Sequence, residues 1–123
     1  MQPATEARPL PLLSEIILAV ERAFGMPGLQ RDKSRMPAFI EAREMFAYLA
    51  RTTTHESYPS IGDFMGRCHT SVIHMFRRAE ARAKSEARMR HGTWSGMPYT
   101  EAERLVQLDA EERATRRLEA WRA

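Results

Sequence analysis

A short polar run, Gly-Arg-Cys-His-Thr-Ser at residues 66–71, carries the side chains best suited to recognition chemistry. It follows an apolar-periodic stretch that ends at Met65 and precedes a second such stretch that begins at Val72. This layout is typical of a helix-turn-helix, in which a glycine-containing turn joins two helices. Small hydrogen-bonding residues at the start of the second helix are where such motifs contact base edges of DNA. The run therefore predicts a DNA-reading surface around His69.

Two other kinds of chemistry could involve the same residues. Cys68 and His69 are adjacent, which rarely suits one tetrahedral zinc, and no second cysteine or carboxylate joins them in a metal-binding pattern. A Cys-His nucleophile pair would need an orienting third group, and none is apparent. Cys68 would be redox-sensitive if Arg67 and the helix start lowered its thiol pKa, but an inert small residue in the turn is the favoured interpretation. We therefore expect no metal, no cofactor and no enzymatic activity.

Charge is distributed unevenly along the chain. Residues 31–91 carry twelve Lys and Arg against seven Asp and Glu, whereas residues 1–30 and 92–123 are each net acidic by one charge. The basic excess coincides with the predicted helix-turn-helix, as a phosphate-binding face requires, although a merely solvated set of arginines fits the charge as well. The single cysteine excludes an intrachain disulfide, and the longest apolar run near the start, residues 16–20, is too short to span a bilayer. These features predict a cytoplasmic protein that does not enter membranes.

The elements that position the polar run are all predicted to be helices, because no window of the sequence shows a convincing two-residue period. Ser14 is expected to cap a first helix that ends within residues 25–28. Pro37 is expected in the first turn of a second helix that extends to about Arg51. The outward-facing residues of this second helix are expected to be Glu41, Arg43 and Glu44.

A third helix is expected to start at Ser57 or Tyr58, and a fourth to extend from about His69 to the high eighties. Thr100 and Glu103 have the spacing of a capping box for a last helix. The apolar face of that last helix is expected to be Leu105, Val106 and Leu108. The residues expected to fill the core at helical spacing are Met36, Met45, Met65 and Met75, with His74 buried and hydrogen-bonded.

These predictions divide the chain into four parts: a flexible leader, a helix-turn-helix domain, a linker and a C-terminal helix. Their boundaries are 1–12, 13–90, 91–99 and 100–123. Trp94 and Trp121 lie outside the domain, where they either pack the last helix onto the core or offer a surface to a partner.

The segment from about Leu13 to Arg90 resembles the C-terminal DNA-binding domain of the bacterial replication initiator DnaA. One motif is Ile61-Gly62 followed by Gly-Arg-Cys-His-Thr-Ser-Val-Ile-His at residues 66–74. The other is Ala-Arg-Glu-Met at 42–45, leading to Tyr-Leu-Ala-Arg at 48–51. The resemblance implies an all-α helix-turn-helix fold, related in shape to the Trp repressor and carrying here an extra C-terminal helix. It also implies binding to double-stranded DNA.

The resemblance assigns the reading of bases to the start of the second motif helix. In the family the residues there contact the major groove, and the matching residues are His69 and Thr70, with Ser71 beside them. Cys68 stands where the family has an aspartate. Because a thiol replaces the carboxylate that can accept from a cytosine N4 amine, we expect a target that differs from the usual initiator box.

The resemblance also assigns contacts to the DNA backbone and the minor groove. An arginine in the loop before the second helix enters the minor groove in the family, and by position this is Arg35, with Arg31 and Lys33 as neighbours. The positions that hold phosphates in the family correspond to Arg43, Arg51 and Arg67.

The sequence also departs from a full initiator because no stretch matches the ATPase motif G-x-x-x-x-G-K-[ST]. The resemblance therefore implies a stand-alone binding domain, of the kind expected in a prophage or an accessory regulator of replication or transcription. The alternative hypothesis is a protein-interaction adaptor, in which the acidic C-terminal helix with Trp121 docks a replication or transcription partner. The sequence leaves the oligomeric state open.

Overall fold

The computed structural model describes residues 9–89 and 97–122, except for the side chains of residues 86–89. Within these ranges the chain forms five α-helices and no strand, which confirms the all-α prediction. The helices are α1 Leu13–Phe24, α2 Pro37–Thr53, α3 Tyr58–Met65, α4 His69–Met89 and α5 Tyr99–Arg122, with a short 3-10 turn at Leu29–Arg31. Residues 1–8 of the expected leader and residues 91–96 of the expected linker, including Trp94, lie outside the described residues. No helix in the described ranges has both the length and the apolar character needed to cross a bilayer.

Two helix starts differ from the predictions. The residue that precedes α1 is Leu12, not Ser14, because the Glu15 carboxylate reaches back and accepts a 2.8 Å hydrogen bond from the Leu12 N–H. Satisfying that donor lets the helix begin before Ser14. The last helix begins at Tyr99, so Thr100 lies inside its first turn and the expected capping position is wrong. The Tyr99 side chain is fully buried, which fixes the start of α5 in the core.

The second helix, α2, is the central element and contacts α1, α3, α4 and α5. It begins at Pro37, as expected. The prediction that Glu41, Arg43 and Glu44 face solvent is wrong, since all three are buried. A helix surrounded on every side by other elements has no solvated face, so its polar residues must find partners inside the protein.

The last helix, α5, packs along α1, and the inward face differs from the predicted one. The buried residues of α5 are Tyr99, Ala102, Val106, Ala110 and Ala114. Val106 is buried as expected, but Leu105 and Leu108 are 44% and 46% exposed. Alanines allow a close approach between two helices. The alanine stripe therefore turns toward α1 and leaves both leucines at the edge.

Two further core predictions need correction. His74 is exposed, because it lies on a different face of α4 from the buried Val72 and Met75. Met36, immediately before α2, is 59% exposed. Met45, Met65 and Met75 are buried and fill the core as predicted.

Aromatic side chains join α2, α3 and α4 behind the turn. The rings of Phe46 and Phe64 stack with centroids 5.6 Å apart, and those of Tyr48 and Phe76 lie 5.4 Å apart. Tyr58 meets Phe76 edge-on at 5.9 Å. These contacts bring the first motif helix, the second motif helix and the central helix into one packed unit.

Candidate nucleic-acid interface

The turn between α3 and α4 is built around two glycines. Gly66 ends α3 with φ +68°, a left-handed conformation that an L side chain rarely adopts. The next residue, Arg67, donates its backbone N–H to the Gly62 carbonyl at 2.8 Å. Ser57 caps the other end of α3 by accepting a hydrogen bond from the Ser60 N–H. The chain therefore reverses within a few residues and presents the start of α4.

The start of α4 projects polar side chains from a rigid base. Cys68, His69 and Thr70 are exposed and Ser71 is half-buried, whereas Val72 is fully buried. The Val72 N–H donates to the Cys68 carbonyl at 3.3 Å, which continues the helical pattern back to that residue. Because Val72 anchors this first turn, the three exposed side chains have a defined direction.

The Cys68 thiol lies beside the Ser71 hydroxyl, with 3.4 Å between Sγ and Oγ. This side-chain hydrogen bond, aided by the Ser71 backbone N–H, lowers the pKa of Cys68. Both groups stabilise the thiolate, as donors at a helix start commonly do. Cys68 therefore carries more negative charge near neutral pH than an ordinary thiol.

The loop before α2 is held by Arg43. Its guanidinium donates to the carbonyl oxygens of Asp32 at 3.2 Å and Ser34 at 2.5 Å, and lies 3.7 Å from the Asp32 carboxylate. The Asp32 carboxylate also accepts from the Ser34 N–H at 2.6 Å. A phosphate contact by Arg43 would require this buried guanidinium to leave the loop. Its present contacts hold the backbone that carries Arg35.

A groove of about 400 Å³ lies between this loop, α2 and α4. Its lining residues are Arg35, Ile40, Arg43, Glu44, Arg67, Ser71, His74, Met75 and Arg78. Burial lowers the pKa of Arg43, and the charge of Arg67 lowers it further. Four arginines against one buried carboxylate make this groove electropositive, so it suits a phosphate or another anion.

Arg31 and Lys33 lie at a second groove of about 470 Å³, on the α3 side of the loop. Its other lining residues are Gln30, Asp63, Phe64, Met65 and Gly66. Gln30 ties this region to α3 by donating its side-chain amide to the Phe64 carbonyl at 2.7 Å. Both Arg31 and Lys33 are exposed.

Arg51 lies apart from both grooves, near the end of α2. Its guanidinium carbon is 4.9 Å from the centre of the Tyr58 ring, and one guanidinium N–H reaches the Glu56 carbonyl at 3.5 Å. The side chain is exposed, so a cation–π contact orients it without removing it from solvent.

Two features of this region were not predicted from the sequence. His74 and Arg78 line the same groove as Ser71, and their spacing of three and seven residues from Ser71 was a signal for one helical face. The buried Glu44 carboxylate forms a charged pair with Arg82, while its Oε2 atom lies 3.5 Å from Arg78 without hydrogen-bond geometry. No sequence spacing links α2 to α4 in this way.

The described residues contain no group of three or more His, Cys, Asp or Glu arranged to hold a metal ion.

A family model described as bacterial dnaA protein helix-turn-helix matches residues 13–79, which is more than half of the chain. The chain belongs to this DnaA helix-turn-helix family. The match extends from the start of α1 into the middle of α4, so it includes α3, the turn and the exposed start of α4. DnaA helix-turn-helix domains are typically non-enzymatic, and membership supports DNA binding. Helix α5 lies beyond the matched residues.

Proposed function

We propose that this chain binds double-stranded DNA in a sequence-specific manner and regulates replication or transcription, as a prophage-derived or accessory factor would. The observation that carries the proposal is the start of α4, where Cys68, His69 and Thr70 are exposed above the buried Val72. A helix start fixed in this way can enter the major groove with its polar side chains against base edges. Family membership supports the same activity.

In this proposal the basic side chains make the remaining contacts, some to the minor groove and others to phosphates. Arg35 enters the minor groove, with Arg31 and Lys33 beside it on the same exposed loop. Arg67, at the electropositive groove, and Arg51, at the far end of α2, contact phosphates. Arg43 holds the loop through its two backbone hydrogen bonds, and so positions Arg35 instead of contacting DNA itself.

The central experiment selects bound sequences from a random duplex pool. We expect His69→Ala and Thr70→Ala each to weaken binding to the selected site by about 1–3 kcal/mol while leaving affinity for random DNA nearly unchanged. Gln107→Ala is a control, because Gln107 is exposed on α5, outside the family match. If the variants stay helical by circular dichroism and select the same sequences as wild type, the start of α4 does not read bases.

Two further variants test the predicted contacts in the major and minor grooves of the DNA. Cys68→Asp introduces an acceptor and should shift the preference at one position toward cytosine. Arg35→Ala should reduce discrimination between A·T-rich and G·C-rich flanks, because minor-groove arginines respond to groove width. Equal losses on flanks of every composition would assign Arg35 to a phosphate instead.

A second candidate function is a protein-interaction adaptor. One observation favours it: Trp121, near the end of α5, is 85% exposed, and large exposed aromatic residues are typical of binding surfaces. In this version α5 docks a replication or transcription partner. The adaptor role would be assigned to α5 if Trp121→Ala still selects the same DNA but no longer captures a partner that the wild-type chain captures. Loss of DNA selection would instead link Trp121 to DNA binding.

A further inference from the structure

Helix α5 carries an exposed face that the fold does not cover. Leu105 and Leu108 lie on it, 44% and 46% exposed, and both line an open groove of about 400 Å³ between α1 and α5. The other residues that line the groove are Ala19, Ala23 and Met97, together with the charged Arg22, Asp109 and Glu112. Two exposed leucines one turn apart, bordered by charged residues, are typical of a helix face that another helix covers.

Charged residues flank these leucines in an ordered pattern. Arg104 lies on the N-terminal side of Leu108, and Glu112 lies one turn beyond it on the C-terminal side. Residues three and four apart on a helix share a face, so these side chains border the same surface. Glu112 also lines the groove itself. Between Arg104 and Glu112 the charge therefore changes from positive to negative, with the exposed Glu101 and Arg116 beyond them.

We propose that this face binds the same face of a second copy of the chain, with the two α5 helices antiparallel about a two-fold axis at Leu108. In this register Arg104 of each copy lies level with Glu112 of the other copy. Glu101 lies level with Thr115 of the other copy, one residue from Arg116. Each opposite-charge contact occurs twice, as an isologous interface requires.

The local contacts leave these groups able to make the new pairs. Glu112 accepts a 2.6 Å hydrogen bond from Arg116 in its own chain, and both side chains remain 61% exposed. Arg104 is exposed. Antiparallel alignment also places the start of one helix beside the end of the other, which is favourable for the two helix dipoles. The charges thus select a second copy in one orientation.

The surface is small, so the dimer forms with modest affinity and its population depends on protein concentration. Sedimentation equilibrium of the full chain should show a mass that rises with concentration toward that of two chains. Arg104→Glu and Glu112→Arg should each weaken the dimer about tenfold or more, because each puts like charges opposite one another twice. The double variant Arg104→Glu/Glu112→Arg should restore the dimer, since the opposite-charge contacts return with their signs exchanged.

Matched controls distinguish this register from a general effect of charge. Arg122→Glu and Glu119→Arg make the same charge changes on exposed positions of α5 beyond the proposed contacts, and they should leave the dimer intact. Circular dichroism and thermal unfolding establish that every variant is folded. A wild-type chain that stays monomeric at all concentrations overturns the proposal. A dimer that is insensitive to the reversals, equally sensitive to the controls, or not restored in the double variant overturns it as well.

Discussion

A Cβ atom added to Gly62 would lie 2.4 Å from the backbone carbonyl oxygen of Arg67. That distance is too short for any carbon–oxygen contact, and the clashing atom belongs to the backbone. The carbonyl lies in the turn that delivers α4, so a side chain at Gly62 would have to move the turn. The close packing of α3 against this carbonyl therefore depends on glycine.

Gly62→Ala should destabilise the protein by about 2–3 kcal/mol and weaken DNA binding, because relief of the clash shifts the start of α4. Gly25→Ala is the matched control. Gly25 has φ +65° but no atom within 4 Å of its added Cβ, so the loss there should be limited to about 1–2 kcal/mol from backbone strain. Chemical denaturation measures both changes. A smaller loss for Gly62→Ala than for Gly25→Ala would contradict the clash.

Arg82→Ala should destabilise the fold by about 2–4 kcal/mol, because it leaves the buried Glu44 carboxylate without its closest partner. Glu44→Gln should destabilise it less, since the Arg82 side chain is 34% exposed and can turn to solvent. Arg78→Ala is the control, and a loss below about 1 kcal/mol is expected because this arginine is 65% exposed and 3.5 Å away. Urea unfolding of the three variants gives this order, and equal losses would argue against a dominant Glu44–Arg82 pair.

Arg67→Ala and Arg51→Ala should weaken binding to all DNA sequences about equally. Each should lower the slope of log affinity against log salt by roughly 0.9, the value for one lost phosphate contact. Salt titrations with a fixed duplex measure the slope. Arg31→Ala and Lys33→Ala are compared with these variants. A smaller change in the salt slope for these two would indicate that Arg31 and Lys33 lie at the minor groove and do not contact a phosphate.

Arg43→Ala should behave differently from these variants. Its guanidinium is buried and hydrogen-bonded to the Asp32 and Ser34 carbonyls, so its loss should reduce stability by about 2–3 kcal/mol and free the loop that carries Arg35. We expect the salt slope to stay close to wild type while discrimination between flanking sequences falls. A reduced slope with unchanged stability would show that Arg43 contacts phosphate after all.

The thiol of Cys68 should react with alkylating reagents at a lower pH than an ordinary thiol, because its pKa is lowered first by the Ser71 hydroxyl. Ser71→Ala should move the midpoint of the rate-versus-pH profile upward. Thr70→Ala should leave it in place, since Thr70 contributes through its backbone. The chain has one cysteine, so the labelling rate reports a single site. Coincident profiles for wild type and Ser71→Ala would contradict this assignment.

Local signals in the sequence determined the helices and the turn. Pro37 begins α2, Ser57 caps α3, and Gly66 ends it in a left-handed conformation, as residue-level rules predict. The start of α4 at His69 was also predicted from local signals, because the polar run at 66–71 separates the apolar period that ends at Met65 from the one that begins at Val72. His69 and Thr70 are exposed at this start.

Only the tertiary structure decided which face of each helix meets solvent. Arg43 and Glu44 are charged residues of the kind usually found at a surface. They are nevertheless buried, because α2 is surrounded by other helices. Leu105 and Leu108 are apolar residues of the kind usually found in a core. They are nevertheless exposed, because the alanine stripe of α5 is the face that packs against α1. Side-chain polarity is a local property, whereas burial depends on the number and closeness of neighbouring elements, which contacts distant in the chain establish.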